Sequence, residues 1–74
     1  LSADDLLQSI PRLPAGYRTV FNLYAIEGYT HKEIAAMLHI QEITSRSQFA
    51  RARKALQEMV QSLIAQDNVS RNRT

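Results

Sequence analysis

Cysteine is absent from the 74-residue sequence, which excludes disulfides and thiolate metal sites. That absence fits a reducing compartment. Proline and glycine are scarce, and all four lie early, as Pro11, Pro14, Gly16 and Gly28. From Tyr29 onward nothing in the chain breaks a helix. No apolar run approaches the roughly 18–20 residues of a membrane span, so membrane insertion is not expected. No signal peptide is visible, and Leu1 stands where an initiating Met is expected, which suggests a piece of a longer protein. The length holds one small core and leaves no room for a second.

What is present is a helix-forming chain with its charge unevenly spread. The formal net charge is only +2. Between Ile43 and Gln57, however, lie Arg46, Arg51, Arg53 and Lys54 with no acid among them, while Asp4 and Asp5 sit at the other end. A local positive field with an acidic counterweight elsewhere suits a polyanion. A plain solvated helix face is the alternative.

The spacing predicts four helices. Ser2 is a candidate cap for the first, answered by Asp5, with Leu6, Leu7 and Ile10 as its apolar stripe. Pro11 and Pro14 end it. Pro14 then suits the first turn of a second helix, whose core-facing residues are Tyr17, Val20, Phe21, Tyr24 and Ala25, with Gly28 as the stop. Thr30-His31-Lys32-Glu33 has the form of a capping box opening a short third helix with Ile34, Ala35, Met37 and Leu38 on its apolar face. His39-Ile40-Gln41 is a tight turn. A fourth helix runs from about Glu42 to Ala65, with Phe49, Ala52, Leu56, Met59, Val60 and Leu63 on one arc. The expected domain is therefore residues 1–65, all-α, with residues 66–74 as a flexible tail.

Two helices joined by so short a turn are the minimum for a helix-turn-helix, here about residues 30–57. Ala35 is small where the helices cross, and Ile40 is placed to plug the gap. With the apolar arc of the fourth helix turned inward, Ile43, Arg46, Ser47, Ala50, Arg53 and Lys54 point outward, flanked by Thr44 and Arg51. Ser47 and Ala50 leave room for the helix to lie in a major groove. Arg46 and Arg51 are placed for guanine edges or phosphates, Arg53 and Lys54 for phosphates, and Ile43 for a thymine methyl. Lys32, Gln41 and Glu42 at the two helix starts complete the candidate DNA-contacting set. An ordinary helical hairpin in a bundle is the competing reading.

From Leu13 to Gln57 the chain resembles region 4 of bacterial sigma factors, and most of all the extracytoplasmic-function subgroup of the sigma-70 family. The likeness is carried by Leu13-Pro14, by Glu27-Gly28-Tyr29, by Thr30-His31-Lys32-Glu33-Ile34-Ala35 with Leu38, and by Thr44 to Gln48 and Ala52 to Leu56 of the reading helix. The resemblance implies a winged-helix-like architecture without a wing. It implies recognition of the −35 promoter element as duplex DNA, docking on the β-flap of RNA polymerase, masking by an anti-sigma factor, and a bacterial cytoplasmic location. It also implies a preceding region 2 domain. The family usually carries Gly, Ser and Gly where this chain has His39, Gln41 and Ile43. His39 is therefore expected to take a left-handed backbone, and Gln41 is a poorer cap than Ser.

Other chemistry finds little support. His31 and His39 have no cysteine partners and lack the three or four converging ligands of a metal site. His31, at a helix start, reads as a surface or phosphate-contacting group. Glu33 and Glu42 form no catalytic pair, since Glu33 serves as a cap and no nucleophile accompanies them. The chain reads as a non-enzyme without cofactor. Two alternatives to promoter binding remain. One is a protein-interaction module for the β-flap or an anti-sigma factor. The other is a response-regulator output domain of the same four-helix plan.

Overall fold

A computed structural model describes the backbone of residues 3–72 and the side chains of residues 3–65. Helix α1 spans Ala3–Ser9 and tightens into a 3-10 turn at Ile10–Arg12, where Pro11 supplies no amide hydrogen and the Leu13 N–H closes onto the Ile10 carbonyl at 3.1 Å. The expected Ser2 cap lies outside the described residues. Helix α2 spans Ala15–Phe21, helix α3 His31–Leu38 and helix α4 Glu42–Asn72. No strand occurs among the described residues.

The second helix departs from its expected form. Pro14 caps it from outside, with ψ at 146°, instead of forming its first turn. From Asn22 to Ile26 the backbone widens into a π turn, with the Glu27 N–H reaching the Asn22 carbonyl at 3.0 Å. One extra residue per turn takes Tyr24 and Ala25 off the 3.6-residue stripe. Both were expected in the core, and both are exposed. Gly28 ends the segment with φ of 82°, a conformation that suits a residue without Cβ, and the Tyr29 N–H closes onto the Leu23 carbonyl at 2.9 Å.

The fourth helix was expected to stop near Ala65 and continues to Asn72. Nothing after Gly28 breaks a helix, so the polar composition of the last residues did not mark an end.

The core lies along α4. Ala52 and Leu56 are buried with Ile10 and Leu13, and Tyr17, Phe21, Ala55 and Met59 pack around them half-buried. Val20, Ile34 and Val60 are fully buried. Thus α4 is the spine on which the short helices rest.

Helix α3 opens with the expected capping box. The Thr30 hydroxyl accepts the Glu33 N–H at 3.1 Å, and the Glu33 carboxylate accepts the Thr30 N–H at 3.0 Å. The backbone N–H of Thr30, then its side chain, holds the Glu33 carboxyl below its ordinary value of 4.5. A carboxylate depressed in the folded chain contributes stability that is complete above the unfolded value and is lost as pH falls through the lower folded one. Thermal melts are expected to show Thr30→Ala costing about 1 kcal/mol at neutral pH. On acidification below 4.5 the wild type should lose more melting temperature than Glu33→Gln, which carries no titrating group there. Parallel acid profiles would refute the cap's electrostatic part.

Candidate nucleic-acid interface

The turn between α3 and α4 is made by one residue in an unusual conformation. His39 has φ of 56° and ψ of 45°, the left-handed geometry expected of it. The next amide, of Ile40, reaches back to the Ala35 carbonyl at 3.0 Å and so satisfies an end of α3. Ile40 is half-buried between the helices, and the Ser45 N–H bonds the Gln41 carbonyl at 3.1 Å to begin α4.

Helix α4 turns Ser45, Ala52, Leu56 and Val60 inward. At 100° per residue the opposite side carries Ile43, Ser47, Ala50 and Lys54, with Arg46 and Arg53 on one shoulder and Thr44 and Arg51 on the other. Burial agrees with this placement. Gln41, Glu42, Ile43, Arg46, Ser47, Ala50, Arg51, Arg53 and Lys54 are all exposed, and Thr44 is half-buried. Lys32 is exposed on α3. Ile43, 68% exposed, is a large apolar side chain presented to solvent at the start of the helix.

The electrostatics of this face are not uniform. Arg46 donates to the Glu42 carboxylate at 3.0 Å, an exposed pair one helical turn apart. Such a pair is weak and yields to a phosphate, but Glu42 reduces the field at the first turn. Arg51, Arg53 and Lys54 make no ion pair among the described residues. Arg53 leans toward an apolar groove lined by Leu6, Phe21, Phe49 and Leu56.

His31 is corrected by the structure. Instead of a free surface group it is half-buried, stacked face to face on Tyr24 with ring centres 4.2 Å apart, and its Nδ1 lies 2.9 Å from the Ser45 hydroxyl. Phe49 completes the cluster, 4.6 Å from Tyr24, 5.8 Å from His31 and stacked on Phe21 at 5.7 Å. Ser45 escaped the sequence reading although a signal existed. It lies on the inward arc one turn before Phe49, and a buried hydroxyl there requires a partner.

Among the described residues no cluster of metal-ligating side chains occurs, and no helix is long and apolar enough to cross a membrane. No curated protein and no solved structure matches the chain. The family profile described as Sigma-70, region 4 matches residues 3–56, which takes in α1, most of the core, the tight turn and the exposed basic half of α4. With most of its length so matched, the chain belongs to the sigma-70 region 4 family, a family of promoter-DNA-binding domains of sigma factors.

Proposed function

We propose that the chain recognises the −35 element of a promoter as duplex DNA, as region 4 of an extracytoplasmic-function sigma factor in the bacterial cytoplasm. The observation that carries this reading is the outer face of α4. Small side chains, Ser47 and Ala50, alternate there with Arg46, Arg51, Arg53 and Lys54, all exposed. Large side chains would hold the helix out of a major groove, and small ones admit it. In this reading Ile43, Thr44, Arg46 and Ser47 face base edges. Arg51, Arg53 and Lys54 take phosphates, and Lys32, Gln41 and Glu42 line the entry. The domain binds and performs no reaction of its own.

A protein partner is favoured by a separate observation. Ile26, Tyr29 and Met37, in the π turn, the loop after it and α3, are large apolar side chains that stay exposed. We propose RNA polymerase, through its β-flap, for that surface, with an anti-sigma factor as its competitor.

The test is selection from a pool of randomised duplexes at fixed salt. Enrichment of one common short motif is expected. A pool that stays unenriched, with binding to all duplexes alike, would overturn sequence-specific promoter recognition.

A further inference from the structure

Arg46 and Ser47 reach the groove only if α4 is held at one rotation and one advance along its axis. A slip of a single residue turns the helix by 100° and moves it 1.5 Å. Apolar packing resists sliding but tolerates small rotations, whereas a hydrogen bond has a direction. The contact between His31 and Ser45 is the one side-chain hydrogen bond between α3 and α4 among the described residues.

We propose that His31 is a positioning residue for DNA recognition, its hydrogen bond to Ser45 fixing the rotation of α4 and with it the aim of Arg46 and Ser47. The inference rests on the promoter reading above.

Ser45 is fully buried in the first turns of α4, next in sequence to the two side chains it aims. Its hydroxyl meets His31 Nδ1 at 2.9 Å, across 14 residues of chain. The imidazole is in turn held from two sides. Tyr24 lies parallel to it, with an interplanar angle of 8°, and Phe49 tilts against it at 59°. Phe49 belongs to α4 and moves with it, but Tyr24 lies outside that helix, so its stacking keeps the ring in place if α4 turns. Position 31 is also the first residue of α3, directly after the Thr30 cap, so its backbone is anchored. The two halves of the helix-turn-helix are thus joined at both ends: by the left-handed turn at His39, and by this bond at the opposite end of α3.

The experiment compares wild type with His31→Phe, His31→Asn and Ser45→Ala. Two probes are used: a duplex selected by the wild-type chain from the randomised pool, and a scrambled duplex of equal length and composition. Phe keeps a stacking ring without the nitrogen. Asn places a polar atom close to the Nδ1 position without the ring. His31→Phe and Ser45→Ala are each expected to lower the preference for the selected duplex about tenfold, comparable to losing one good base contact. Affinity for the scrambled duplex and its salt dependence should not change, because phosphate contacts tolerate a small rotation. The double variant should be no worse than either single one, since both remove the same bond. His31→Asn should retain most of the preference.

An unchanged preference in folded His31→Phe and Ser45→Ala, with folding checked by circular dichroism, would overturn the proposal. So would an equal loss on both duplexes together with a lower melting temperature, which marks a merely structural role, or failure of His31→Asn to retain the preference. If His31→Phe does not fold, Ser45→Ala and His31→Asn decide alone. A wild-type chain that enriches no motif defeats the promoter reading itself, and is seen before any variant is made.

Discussion

Affinity for duplex DNA is expected to fall about 40-fold between 50 and 200 mM salt if Arg51, Arg53 and Lys54 of α4 contact phosphates, a slope of about −2.7 in log–log form. Removing one of them, by Arg51→Ala or Lys54→Ala, should leave a fall of about 12-fold, and removing both about 3.5-fold. Alanine is the best helix former, and both side chains are exposed, so α4 itself should survive these changes. Arg46 is partly spent on Glu42 in the free chain. Glu42→Gln should therefore strengthen binding at low salt, by freeing Arg46 and by removing a repulsive charge. Fluorescence anisotropy across a salt series measures all of these slopes. A wild-type slope near zero would sink phosphate binding by α4. A normal slope unaffected by Arg51→Ala and Lys54→Ala would move the DNA to another surface.

Leu56→Ala is expected to cost about 3 kcal/mol, a large share of the roughly 4–11 kcal/mol that a chain of this length commands. Leu56 is 2% exposed and shares its cluster with Ile10, Leu13 and Ala52, residues drawn from the 3-10 turn, the loop before α2, and α4 itself. Truncating it leaves a cavity at the point where these segments meet. The melting temperature should drop by about 12–24 °C. Ile64→Ala, at a site 45% exposed on the same helix, should change stability by less than about 0.5 kcal/mol and serves as the control. Equal losses at the two positions would show that α4 is not seated on the core as described.

Much of this was legible in the residues. The capping box at Thr30 and Glu33, the stop at Gly28 and the inward arc of Ala52, Leu56 and Val60 follow from local rules that need no knowledge of the rest of the fold. The left-handed turn was legible too, through the resemblance, because the family usually carries Gly where this chain has His39. The π turn at Asn22–Ile26 was not, since its apolar spacing suits an ordinary helix and only packing selects the wider one. His31 was misread because position at a helix start says nothing about which neighbour the ring will meet. Tyr24 and Phe49 are brought to it by the fold. The pairing of Glu42 with Arg46 has the four-residue spacing of a helical ion pair, but that spacing does not tell whether an arginine will prefer its own carboxylate or a base.

The 31 residues of α4 form one unbroken rod about 46 Å long. Its inner side builds the interior of the molecule and its outer side carries the side chains proposed for the groove, with no joint between the two. Docking would then demand no segment to be ordered on contact, so little conformational entropy is forfeited. The same economy has a cost in adaptability. A target whose groove runs at a slightly different angle cannot be met by flexing the reader, only by tilting the whole body or deforming the nucleic acid.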